Sequence, residues 1–174
     1  MVPPVLHRLL LGAFAKLPRP VRRRLVRWGA PSYTVGAICV IRRQDGRVLL
    51  IRQRYRQRWG LPGGLLSRGE DPADAARREV AEEVGLDVEL IGPPVVVVDP
   101  GPQRVDVVYA AVPAPGCDPD TARPTSPEVV DARWFAPDAM DDVQHETASA
   151  LAVLAERQGA GPESTGSAEA AGLG

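Results

Sequence analysis

The stretch from Glu70 to Leu86, "EDPADAARREVAEEVGL", constrains this chain more than any other. Asp71 is a good N-cap, Pro72 suits the first helical position, Asp74 lies in the first turn and Gly85 supplies a stop. The spacing therefore predicts a helix ending near Val84. At 3.6 residues per turn, Glu79, Glu82 and Glu83 project within roughly 100° of arc. Ala73, Ala76, Val80 and Val84 recur beside them as an apolar stripe. Such a helix buries its stripe and holds three carboxylates at the edge, although like charges at i, i+4 destabilise an isolated helix by about 0.2–0.5 kcal/mol. By charge alone, a solvated acidic face and a seat for a hard divalent cation are equally good readings. Mg²⁺ takes oxygen ligands and keeps several waters, so a few carboxylates plus a substrate phosphate suffice.

The surroundings of that helix are those of one globular domain. The chain has 174 residues, 44 % of them hydrophobic, and a net charge of −1, so no nucleic-acid partner is expected. "TVGAICVIR" (34–42) and "GRVLLIRQ" (46–53) read as strands, with Asp45-Gly46 as a hairpin turn between them. "YRQRWGLPGG" reads as a loop. "VELIGPPVVVVD", "RVDVVYAAVP" and "VVDARWF" read as three further strands, and Pro137 to Arg157 holds one or two helices. Cys39 sits in an apolar run and is expected to be a buried thiol. It is far from Cys117, and the pair fits a reducing, cytoplasmic setting.

Both ends differ from the middle. Residues 1–30 hold seven Arg or Lys and no acid. Leu6, Leu9, Leu10, Ala13, Phe14 and Leu17 repeat with helical spacing, and "VRRRLVRW" offers a second short helix. We read residues 1–30 as a basic amphipathic helical arm, residues 31–157 as the domain and residues 158–174 as a disordered tail. "LLLGAFA" resembles the apolar core of a signal peptide, but Lys16, Arg19 and Arg22 to Arg24 follow at once, which favours the amphipathic helix. No apolar run approaches the roughly 20 residues that a membrane-spanning helix needs.

The full pattern is Gly64, five residues, Glu70, seven residues, then Arg78-Glu79-Val80-x-Glu82-Glu83-x-Gly85-Leu86. It resembles the Nudix box of the Nudix hydrolases at each of its specified positions. "WGLPGG" before it and "ARWF" after it are similar to that family's flanking segments, and the resemblance spans about residues 34–155. It implies an α/β fold, an α/β/α sandwich around a mixed β-sheet. It also implies Mg²⁺-dependent, or Mn²⁺-dependent, cleavage of a pyrophosphate bond in a nucleoside diphosphate linked to another moiety. By the same resemblance Glu79, Glu82 and Glu83 are metal ligands, with Glu82 or Glu79 able to serve as base. Arg78 orients a glutamate, Glu70 is a further ligand or supports one, and Gly63 and Gly64 let the loop pass close to metal and phosphate.

Other candidates lie outside the box. Family members also place the base on a later loop, where this chain has Glu128, Asp131 and Glu146. Arg52, Arg54, Arg56 and Arg58 alternate up to Trp59 and fall on one side if the strand continues, facing either phosphate or solvent. Tyr55 and Trp59 could stack on a base. His145 reads as a surface residue. Pro102 resembles a marker of ADP-ribose hydrolases in the family. The alternative to an enzyme is a Nudix-like sensor that binds a nucleotide without cleaving it.

The arm's apolar stripe is expected to dock on the chain's own core or on the second subunit of a homodimer, with an anionic membrane surface as the lesser alternative. Deleting residues 1–30 should then lower the melting temperature or dissociate a dimer and leave the metal requirement unchanged. Vesicle sedimentation of the intact chain at low salt, with no change in melting on truncation, would point to the membrane instead.

Overall fold

The computed structural model describes residues 12, 14–29 and 32–159. A helix α1 (Arg19–Gly29) leads into β1 (Thr34–Ile41), β2 (Val48–Gln53) and a short β3 (Gly63–Leu65). Then come α2 (Pro72–Val84), β4 (Val88–Asp99), β5 (Arg104–Pro113), β6 (Val129–Phe135) and α3 (His145–Gly159). Two 3₁₀ turns, Pro119–Thr121 and Pro137–Ala139, punctuate the loops beside β6.

The strands form two sheets. One is four-stranded, in the order β3-β1-β5-β4, with β1 parallel to β5 and the other pairs antiparallel; the second pairs β2 with β6. The hairpin expectation needs correcting here. Arg43 and Arg47 do close a turn, and Arg42 bridges Val48, but β1 and β2 then separate into different sheets. The reason is in their side chains. β1 is buried without interruption from Gly36 to Ile41 and β2 from Val48 to Ile51, so each needs cover on both faces. By splaying apart, both strands feed both layers of the core. Ala37, Cys39, Ile41, Leu49 and Ile51 face α2, while Ile38, Val40, Val48 and Leu50 join Ala150 and Leu154 of α3. The result is the expected α/β/α sandwich.

Helix α2 starts and stops as its sequence dictates. The Asp71 side chain accepts from the Ala73 N–H at 2.8 Å, Pro72 opens the helix, and Gly85 closes it by donating to the Ala81 carbonyl. Its buried face is Ala75, Ala76, Val80 and Val84, and it includes Glu83; Ala73, assigned to the stripe from its spacing, is only partly buried. β3 was not legible in the sequence, since a Gly-Gly-Leu segment has no alternating pattern. It exists because its glycines permit close packing. A Cβ on Gly63 would lie 2.3 Å from the Ala37 carbonyl oxygen of β1.

The Cys39 thiol is fully buried against the Ala76 carbonyl, and burial pushes it up to about 12, so it is an unreactive core group as expected. In α1, Val21, Val26 and Trp28 are exposed, Trp28 by 94 %, whereas Phe14 and Leu17 of the preceding stripe are half-buried. Leu6, Leu9 and Leu10 lie outside the described residues, as do positions 160–174 of the tail. No described helix is long and apolar enough to cross a membrane.

Leu49 is wholly buried between β1, α2 and β6. Leu49→Ala should cost about 2–5 kcal/mol in a urea melt, the range for opening a cavity in a close-packed core.

Candidate functional site

Helix α2 presents Glu79, Glu82 and Glu83 to a cavity of about 600 Å³. Gly63 and Gly64 of β3 form its adjoining wall, with Gln53, Tyr55 and Arg56 beyond the end of β2. Arg104 at the start of β5, Glu128 before β6, and Gln144, Glu146 and Thr147 beside the start of α3 complete it.

Arg78 organises the acidic wall. Its Nε and Nη2 donate to the two oxygens of Glu70 at 2.7 and 3.0 Å, and its Nη1 donates to Glu79 at 2.8 Å and Glu82 at 3.1 Å. Glu70 accepts a further bond from the Ser67 N–H, and the Arg78 hydrogen bonds pull its carboxyl down to about 2. Glu70 does not line the cavity, so its place is behind Arg78 rather than among cavity-facing ligands. Gly64 has a steric reason to be glycine: a Cβ there would sit 2.4 Å from a Glu79 carboxylate oxygen.

Glu83 differs from its neighbours. It is 6 % exposed, accepts from the Gly63 N–H at 2.9 Å and from the Gln53 amide at 3.4 Å, and has no ion pair among the described residues. Burial raises its carboxyl to about 7 against these hydrogen bonds, and the charges of Glu79 and Glu128 push the same way. Glu128 therefore belongs to the same electrostatic site as the box acids, whereas Asp131 pairs with Arg52 and Arg133 away from it.

The arginine series does not stay on one side, because β2 ends at Gln53. Arg52 pairs with Asp131 and lies over the Trp59 ring, Arg54 donates to the Pro127 carbonyl, and Arg58 pairs with Asp142; none of the three lines the cavity. Arg56 does, held by Gln144 at 2.7 Å and Glu146 at 3.1 Å. Burial favours a higher value for Glu146, but its own backbone N–H and Arg56 outweigh it and hold the carboxyl below its ordinary range. Trp59 packs edge-on against Phe135, as expected of a packing residue, while Tyr55 is exposed on the cavity rim. His145 is exposed and stands outside it. Sequence reasoning missed Gln53, Gln144 and Arg104. Only Arg104 left a signal: with Asp106 it makes a charged i, i+2 pair in an otherwise apolar strand.

A family model, the NUDIX domain, matches residues 32–156. The chain belongs to the Nudix hydrolase family. A MutT-like protein of Streptomyces ambofaciens is 33 % identical over 76 % of this chain and 82 % of its own length. The crystal structure of a MutT Nudix hydrolase from Burkholderia pseudomallei is 32 % identical, with a TM-score of 0.58 over 70 % of this chain and 98 % of that one. An RNA pyrophosphohydrolase of Caulobacter vibrioides is 45 % identical, but the match spans only 36 % of this chain and 38 % of that protein. The chain is thus a Nudix hydrolase, an enzyme of phosphorus-containing acid anhydrides.

Nudix hydrolases use divalent metal ions. The donors here suit one: they are carboxylates only, they share a cavity, and buried Glu83 lacks a cationic partner. Among the described residues no three His, Cys, Asp or Glu side chains already converge on a point, since Glu79 and Glu82 are turned to Arg78.

The raised Glu83 carboxyl has a definite sign. The unfolded chain gives up this proton near 4.5 and the folded protein near 7, so without metal this group destabilises the fold increasingly from pH 4.5 to 7 and by a constant amount above. Glu83→Gln keeps the acceptor for Gly63 and removes the charge. In chelator it should be the more stable protein at pH 8, by roughly 3 kcal/mol from a shift of this size. Urea melts should show the gain shrinking towards zero near pH 4.5.

Proposed function

We propose that this Nudix hydrolase cleaves the pyrophosphate linkage of a nucleoside diphosphate joined to another moiety, with Mg²⁺ or Mn²⁺ as its cofactor. The observation that carries the reading is the convergence of Glu79, Glu82, Glu83 and Glu128 on one cavity, with Arg78 behind them. An acidic pocket repels an anionic diphosphate unless a cation lies between them, so acids and substrate imply each other through a metal. The RNA pyrophosphohydrolase from Caulobacter supports pyrophosphate chemistry over the stretch it shares with this chain.

In this reading Glu79, Glu82 and Glu83 would hold the cation. Bound there, it would neutralise phosphoryl oxygens and lower the pKa of the attacking water. Glu79 and Glu82 would turn from the Arg78 Nη1 to the cation, while Glu70 would keep the guanidinium in place through Nε and Nη2. Gly63 and Gly64 leave backbone rather than side chain facing the phosphates. Glu82, Glu79 and Glu128 are the carboxylates with access to the proton of a water in the cavity. Glu146 is better read as the anchor of Arg56, whose side chain faces the substrate in place of Arg52, Arg54 and Arg58. Tyr55 is placed to stack on a base.

Glu82→Gln should lower kcat by on the order of 10²-fold or more, because the lost charge acts on charge formed in the transition state. The test is a panel of diphosphate-containing nucleotides with millimolar Mg²⁺, products being identified by mass. At least one substrate should release a nucleoside monophosphate or diphosphate, and chelator should stop it. Tight nucleotide binding with no turnover across the panel would instead favour a sensor.

A further inference from the structure

Arg104 lines the same cavity as the glutamates, in an arrangement that the box does not explain. We propose that Arg104 is a substrate-binding residue whose free guanidinium edge grips phosphate oxygens of the nucleotide, together with Arg56 of the same cavity. The proposal deepens the function given above and rests on it.

Three observations support it. First, Arg104 is anchored from behind. Its Nε donates to both oxygens of Asp106 at 2.8 Å, and Asp106 is only 5 % exposed. Among the described residues nothing accepts from Nη1 or Nη2, so these four N–H donors remain available on a side chain that lines the cavity. A guanidinium fixed at one edge with the other edge open is the form that binds phosphate in two-pronged fashion, and fixing it beforehand reduces the ordering cost.

Second, the sheet makes room for it. Arg104 and Asp106 lie on the same face of β5 as Val108, and Asp106 is directly opposite Gly36 of β1. A Cβ on Gly36 would be 2.3 Å from an Asp106 carboxylate oxygen and 2.9 Å from the Arg104 Nη2. The missing side chain lets the pair reach over β1 towards β3, whose Leu65 pairs with Gly36 and lines the cavity. Any other residue at position 36 would push the guanidinium off this path.

Third, Arg104 is not alone. Its charge acts on Tyr55 and Glu146, which line the cavity near Arg56. Among the described residues the Arg56 side chain is held through Nη1 alone, so it too has donors to spare. Two anchored guanidiniums thus share the cavity with the acids, and a diphosphate bound there can direct oxygens to both.

Replacing Arg104 alone would strand the buried Asp106, so the test uses Arg104→Gln combined with Asp106→Asn, and separately Gly36→Ala, which keeps both charges but takes their space. ADP and inorganic pyrophosphate are each titrated calorimetrically into the full chain at one fixed Mg²⁺ concentration, so that the cation between acids and ligand is common to wild type and variants. Both variants should weaken both ligands by about tenfold or more, the scale of a lost charge-assisted pair. With Mg²⁺ and a substrate the wild type turns over, KM should rise by a similar factor while kcat changes little. Unchanged ADP and pyrophosphate affinity in the double variant, with native melting behaviour, would overturn the proposal. Weaker ADP with unchanged pyrophosphate would overturn it as well, since Arg104 would then be reading the nucleoside. The titrations do not require turnover, so failure to hydrolyse any nucleotide would count against the proposed function alone.

Discussion

Arg78 is the interaction on which the acidic site depends. One guanidinium binds Glu70 with two nitrogens and shares the third between Glu79 and Glu82. Three carboxylates that would repel one another are thereby held around a single cation at the edge of α2. Arg78 and Glu82 keep contact with solvent, so the energy of each pair is modest and the orientation is the larger gain. Lysine could not do the same. It is a point charge, whereas this site uses three separate nitrogens of a planar fork.

Glu83 belongs to a second constraint, the close approach of β3 to both β1 and α2. Gly63 touches the β1 backbone and donates its N–H to Glu83, while Gly64 leaves space for the Glu79 carboxylate. A short strand of two glycines thus sets the distance between sheet and helix. The cost is a carboxylate buried without a cation and raised well above its usual range. That cost is what gives a metal ion something to relieve. This group lowers the stability of the fold at neutral pH, and the deficit is concentrated in a carboxylate that lines the cavity.

The basic part of the cavity lining is built by a different logic. Its arginines come from a loop after β2 and from the first residue of β5, and each is tied down by an acid of its own, Glu146 for Arg56 and Asp106 for Arg104. Arg52, Arg54 and Arg58 have partners too, but these draw them away from the cavity. The partner of each arginine, rather than its place in the sequence, decides whether it lines the cavity.

The sequence determined whatever depends on local spacing. Caps at Asp71 and Gly85 bound α2, the placement of Glu79, Glu82 and Glu83 follows from helical periodicity, and the box pattern alone pointed to the family, the sandwich fold and pyrophosphate chemistry. Buried Cys39 and the packing role of Trp59 were legible for the same reason, since apolar context reports burial. The tertiary structure decided what depends on contacts between distant segments. The Asp45-Gly46 turn could not show that β1 and β2 part into two sheets, because that follows from both being buried on both faces. Alternation along residues 52–58 could not show that the strand stops at Gln53, because an edge is set by the partner β6. Glu70 could be counted among the acids but not placed behind Arg78. Arg104 enters the cavity lining only because β5 lies beside β1, with Asp106 opposite Gly36, a juxtaposition of residues 70 positions apart that no local pattern encodes.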